Sequence, residues 1–388
     1  MRGLLNKRYL DFLINGLITI IQISASQFLI YPLIENTIKA DKFGAFLTSV
    51  GFILSFYAPI NIALSNFILR NNDKYSRAIY QLYFFGLICF SLISLLFPYP
   101  KENPEIILWG VLLGFRTVAS AYIRHERNFK FLLLANVIAL FSCFLVINYL
   151  KEYIHNPLIL LVIYETVLAI FYFTRLPIKN SFKTRTIIRA EVIDIGRLFF
   201  LNLSANTSNY IDRFALQYFG NGQQVSIFFI ITLFPKLLVT LGATINGVLL
   251  SYLSSENELH KSSYLKGLLA PTSLSVLFCL VIYSSISQLT EIIYPDFKWL
   301  EEYNLVLGIS LLAFFINAQE KMIKGALIRF SEGKNLIRIE LISSSIHMSL
   351  IIAGLSIKFS LTSLSIIMLF SFTFRLALTT FEFFKIQK

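Results

Sequence analysis

Five ionisable residues stand deep inside apolar stretches of this 388-residue chain: Arg116, Glu165, Asp212, Arg213 and Lys236. Charge at membrane depth is costly, so such residues mark function or pairs that satisfy one another. The chemistry open to them is limited. A guanidinium can fork two hydrogen bonds onto phosphate oxygens, an ammonium offers a point charge, and a carboxylate can carry a proton or hold a cation. Three cations against two carboxylates leave a net positive interior, which suits an anionic headgroup. Glu165 and Asp212 are the candidates for coupling to an ion gradient. The structural alternatives stay open: an ion pair of Arg116 with Glu165, and a pairing of Asp212 with Arg213 or with another helix. Glu320, next to Lys321 and Lys324, reads as a surface pair at a helix end.

Two polar stripes accompany these charges. Asn15, Thr19, Gln22 and Ser26 follow the spacing i, i+4, i+7 and i+11, and Asn202, Asn206, Asn209 and Arg213 repeat it, with Gln217 extending the second stripe. At 100° per residue each set falls within about 60° of one helix face. A polar stripe cannot face lipid, so each meets protein or water. Helix packing is one reading and an aqueous cleft is the other. The cleft reading makes Arg213, Lys236, Asn202, Asn206, Asn209, Gln217, Asn15, Gln22 and Arg116 the substrate-contacting candidates. On a helix Asp212 lies about 100° round from Arg213 and points at a neighbouring helix rather than at the stripe.

The elements that must hold these residues are transmembrane helices. The chain is 56% hydrophobic and 14% charged, with a mean hydropathy of +0.68. Soluble domains are about half apolar and a quarter charged. Twelve apolar segments can be read, near 11–34, 43–69, 78–98, 104–123, 131–150, 157–176, 195–219, 225–253, 267–290, 302–320, 337–357 and 361–384. The expected fold class is an all-α polytopic membrane protein with about twelve transmembrane helices in two six-helix halves, 1–178 and 179–388, around a central cleft. Equal halves starting in the same orientation suggest a parallel repeat.

Basic residues alternate between connections. Twenty-four Lys and Arg fall on one side, among them Lys7, Arg8, Lys74, Lys179, Arg185, Lys321, Lys324, Arg338 and Arg375, and six on the other: Lys39, Lys42, Lys101, Lys151, Lys298 and Lys358. The positive-inside rule puts both termini in the cytoplasm. The basic N-terminus precedes an apolar run too long for a cleaved leader, so it reads as an uncleaved first span. Here a formal charge of +12 reports topology, and no nucleic acid partner is expected.

Cys89, Cys143 and Cys279 all fall within spans and read as small core residues. His125, His155, His260 and His347 are scattered without metal spacing. There is no Walker loop, no G-x-S-x-G and no H-E-x-x-H, so neither ATP hydrolysis nor covalent catalysis is indicated. No catalytic residue, metal or cofactor is expected, and transport would draw on a proton or sodium gradient.

Two stretches carry a resemblance: "IENTIKADKFGAFLTSVGFILSFYAPINIALSNFILR" (34–70) and "NYIDRFALQYFGNGQQVSIFFIITLFPKLLVTLGATINGVLLSYLSS" (209–255). The second resembles the Asn-x-x-Asp-Arg/Lys helix, Phe-Gly turn and following helix of the Wzx-type polysaccharide flippases, within the multidrug/oligosaccharidyl-lipid/polysaccharide exporter superfamily. Pro59-Ile60-Asn61 replaces that family's frequent Asp-Leu-Gly, and Phe228 or Phe229 replaces its Tyr. The resemblance implies a bacterial inner-membrane flippase. Its substrate would be an isoprenoid pyrophosphate-linked oligosaccharide, moved by alternating access for O-antigen or other surface polysaccharide, beside other polysaccharide assembly proteins. A small-molecule or multidrug exporter of the same fold is the alternative, its cleft expected to be richer in carboxylates. A membrane glycan polymerase or ligase is a further one, disfavoured because the outward connections are short.

Overall fold

In a computed structural model, residues 2–70, 83, 86, 104–150, 156–176, 189–253, 260–295, 300–331, 333–357 and 360–386 are described. The third expected span (78–98, save Tyr83 and Gly86), the connection 177–188, Cys89 and His155 lie outside them. The described residues are helical: α1 (Arg2–Ile23), α2 (Tyr31–Thr37), α3 (Ala40–Phe52), α4 (Ala58–Arg70), α5 (Pro104–His125), α6 (Phe129–Leu150), α7 (Leu158–Phe173), α8 (Arg189–Phe219), α9 (Gly222–Leu253), α10 (Lys261–Ile293), α11 (Asn304–Phe330), α12 (Gly333–Ile357) and α13 (Leu361–Lys385). Among the described residues nine helices are long and apolar enough to span a bilayer, and α7 is a shorter apolar one. Helix α8, at 31 residues, is long enough but carries the second polar stripe and its charges. These match the positions of eleven of the twelve expected spans, the third lying outside the described residues.

Helices α1 and α2 are joined through a π-helical stretch, Ser24–Ile30, and α3 and α4 through another, Ile53–Tyr57. Pro32 and Pro59 each follow two residues after the stretch ends. A proline has no N–H for the carbonyl four residues back, and the widened turn is how the helix absorbs that loss. Pro235, by contrast, lies within an unbroken α9.

The surface is inverted relative to a soluble protein. On α10, Leu269, Leu274, Leu277 and Leu280 are 57–65% exposed, while Thr272 turns inward and donates to Gln319 of α11 at 2.7 Å. An exposed apolar face of that extent is what lipid covers.

The chain packs as two compact units, residues 1–37 with 49–207, and residues 38–48 with 208–388. The division expected at 178/179 falls outside the described residues. In the first unit α4 and α7 pack on α5, and α6 packs on α1 and α7. In the second, α11 is central, flanked by α9 and α13, with α12 against α13 and α10 against α11. The start of α3 belongs here because it locks onto the start of α9. Asn221 caps α9, its Oδ1 accepting the Gln224 N–H at 2.9 Å, and Asp41 Oδ1 accepts the Gly222 N–H at 2.9 Å. These are two of the donors that any helix N-terminus leaves unmet, and the Asp41 carboxylate also faces the positive end of the helix dipole. The approach requires glycine: a Cβ on Gly44 would lie 1.9 Å from the Gly222 carbonyl oxygen.

Candidate functional site

Asp212 and Arg213 do not pair through their side chains. Asp212 is 1% exposed; its Oδ1 accepts the Arg213 backbone N–H, and its Oδ2 holds Lys236 Nζ of α9 at 2.9 Å. The helical offset predicted such a tie to a neighbouring helix. Lys236 completes its surroundings with the faces of Phe228 and Phe314, 5.8 and 5.6 Å from its ammonium. Arg213 turns the other way, where Nη1 donates to the Leu47 carbonyl at 2.8 Å and the guanidinium lies over Tyr210 and Phe229. Arg213 is buried, not displayed, and Lys236 is a paired cation rather than a free one.

The stripe on α8 is half-buried at Asn202, Asn206, Asn209 and Gln217. Asn202 Nδ2 donates to the Leu198 carbonyl at 2.7 Å, while Asn209 Oδ1 and Gln217 Oε1 are buried without a hydrogen-bond partner. Amide oxygens in that state mark a place that water or a ligand would satisfy. On α1, Asn15 is buried, Gln22 is half-buried, Thr19 donates to the Asn15 carbonyl and Ser26 to that of Gln22, both at 3.0 Å.

In the first unit Arg116 of α5 and Glu165 of α7 form an ion pair at 2.8 Å. Beside them Tyr164 and Tyr172 converge on Asn136: Tyr164 donates to Asn136 Oδ1 at 3.1 Å, and Asn136 Nδ2 donates to the Tyr172 hydroxyl at 2.9 Å. Gly114, two residues before Arg116, lets Tyr57 and Asn61 approach, since a Cβ there would meet the Tyr57 hydroxyl at 2.5 Å.

The largest departure from the sequence reading lies among residues assigned to the surface. Glu320 is 1% exposed and belongs to a buried ionic network with Glu340 and Arg375, which are each 2% exposed. The Arg375 guanidinium bonds Glu340 and lies 3.5 Å from Glu320 Oε1. Lys324 donates to the other Glu340 oxygen, and Lys321 stands 3.6 Å from Glu320 Oε2. Ser344 and Thr379 add hydroxyl donors to Glu340 and Glu320 at 3.3 and 3.4 Å. Lys321, Lys324 and Arg375, counted with the cytoplasmic connections, are therefore not surface charges. The asymmetry behind the topology survives their removal. His347 is also buried, stacked on Phe372 with ring centroids 5.2 Å apart. No three potential metal-ligating side chains converge among the described residues.

No family model matches the chain, and neither does any curated protein sequence. Solved structures do. The chain is similar to a MATE protein in its bent conformation, with a TM-score of 0.67 and 12% identity over 97% of this chain and 94% of that one. It is similar to the Vibrio cholerae MATE transporter VcmN in its bent form (TM-score 0.66, 12% identity, 99% and 97% covered). It also resembles an outward-facing multidrug resistance MATE family transporter of the MOP superfamily (TM-score 0.63, 12% identity, 97% and 93% covered). An all-helical chain with bilayer-length apolar helices, superposing over nearly its whole length on such structures, has the fold of the MATE transporters.

Proposed function

We propose that the chain is an exporter of amphiphilic small molecules, driven by an ion gradient and working by alternating access. The polar stripes of α1 and α8 would face its aqueous path. The observation that carries this reading is the fate of the deep cations. A path for a pyrophosphate needs positive groups free to replace the water around it. Here Lys236 is held by Asp212 and Arg116 by Glu165. The likeness to a multidrug resistance MATE transporter supports the same reading. Coupling then has a concrete form. A proton or sodium ion taking Glu165 or Asp212 must first displace Arg116 or Lys236, so ion binding loosens the tie between two helices.

A second reading, a flippase for lipid-linked oligosaccharide in the bacterial inner membrane, is favoured by the resemblance at 34–70 and 209–255. Arg213, which has no carboxylate partner among the described residues, also favours it.

Expression in an efflux-deficient bacterium separates the two. Export of lipophilic dyes that is lost in Glu165→Gln at unchanged membrane abundance supports the exporter. No export of any dye, with loss of surface polysaccharide on deletion in the source strain, moves the assignment to the flippase. Cysteines at 15, 22, 206 and 209 should react with an impermeant thiol reagent faster than cysteines at 203 and 210. Equal rates would return the stripes to helix packing.

A further inference from the structure

One groove of the second unit belongs to none of these residues. It has a volume of about 810 Å³ and lies where α11 ends, α12 begins and the last turns of α13 run past them. Its floor is apolar, with Ile342, Phe374, Leu378 and Phe381, and its rim carries Arg338 and Lys385. The floor continues outward: Phe381 is 61% and Ile342 42% exposed, so the groove opens onto the apolar flank of the helices.

The rim is cationic. Lys385 lies 3.6 Å from Glu382 and 4.2 Å over the Phe381 ring, so it is partly compensated. Arg338 is exposed and has no ion-pair partner among the described residues. Among the charged residues that line it, Glu382 stands against Arg338 and Lys385, so the groove is net positive. It sits at helix ends, the height at which headgroups lie, on the side that the charge asymmetry predicts to be cytoplasmic. A free phosphate would use the rim and waste the floor, whereas a neutral lipid would use the floor and leave Arg338 unmet. Basic pockets between helix ends accommodate acidic headgroups for this combination of reasons.

We propose that this groove is a binding site for an anionic phospholipid, with the phosphate at Arg338 and Lys385 and the first acyl methylenes on Phe374, Leu378 and Phe381. The proposal rests on membrane placement and not on the exported substrate. The purified full chain is titrated with short-chain phosphatidylglycerol or phosphatidylcholine, and occupancy is read by native mass spectrometry. Phosphatidylglycerol should be retained in preference to phosphatidylcholine. Arg338→Gln and Lys385→Gln should each weaken that retention about fivefold, and together about thirtyfold. Leu378→Gln should weaken it with the charges intact. Both basic residues are exposed, and unchanged melting temperatures of their variants would show that the fold is kept. Equal retention of the two lipids, full retention by the double variant, or displacement of phosphatidylglycerol by millimolar inorganic phosphate would each overturn the proposal.

Discussion

Replacing Asp212 by Asn removes the countercharge of Lys236 and leaves an ammonium whose side chain is only 18% exposed. Breaking a fully buried pair from one side costs about 3–5 kcal/mol. The partial exposure of Lys236 and the two rings that still face it put the expected loss at the lower end, about 3 kcal/mol. For a unit of this size 1 kcal/mol moves the melting temperature by about 2–4 °C, so Asp212→Asn should melt about 6–12 °C lower. The assay is thermal unfolding of the detergent-solubilised chain followed by size-exclusion chromatography. The double variant Asp212→Leu/Lys236→Met replaces the pair by apolar groups and should recover most of the loss, because desolvation of both charges disappears with their attraction. The recovery is the discriminating result. If Asp212→Asn melts with the parent, or if the double variant loses as much as the two single variants combined, the two residues are not coupled and the tie between α8 and α9 lies elsewhere.

Gly44→Ala forces the Gly222 carbonyl away and should cost about 3 kcal/mol, seen as reduced abundance in the membrane. Gly16→Ala has nothing within 4 Å of the new methyl and should gain about 0.5–1 kcal/mol in the same measurement. Arg375→Ala should be the most damaging single change in the ionic network, about 3–5 kcal/mol, with Arg375→Lys only partly restored because one ammonium cannot serve two carboxylates as a planar guanidinium does. Topology reporters fused after Lys101, Lys151 and Lys298 should read outside and those after Lys179 and Lys334 inside; an inside signal at 151 or 298 would reverse the reading of the charge asymmetry.

Much of the fold is legible because a bilayer imposes a length on apolar segments that composition alone reveals. Asp212 shows how far a helical offset reaches. One residue and 100° from Arg213 sufficed to predict a partner on another helix, but not that the partner is Lys236, 24 residues on across a turn. At Glu320 hydropathy misleads. The apolar run near 302–320 stops where charge begins, but the helix continues to Phe330, so Glu320, Lys321 and Lys324 sit two to three turns inside its end. Hydropathy locates the boundary of apolar residues, whereas the helix is bounded by its backbone hydrogen bonds, and buried ions that compensate one another occupy the gap. The π-helical stretches leave no periodicity to read, and the prolines just after them, Pro32 and Pro59, are the signal that could have marked them.

The ionic network of α11, α12 and α13 has a consequence for how the chain enters the membrane. A lone charge near the middle of an inserting helix costs about 2.5–3.5 kcal/mol. Helix α12 brings Glu340, two turns inside its start, and α13 brings Arg375, near its middle, and both are ion-paired to other helices. Glu340 stands 17 residues before Ile357 and Arg375 stands 14 after Leu361, so folding at the short connection between them brings both to a similar height. Leaving the insertion machinery as a closed hairpin, the two helices present lipid with a neutral pair instead of two separate ions. Removing either charge would then act during biogenesis, before a finished protein exists to be destabilised, by stalling its partner helix at the translocon.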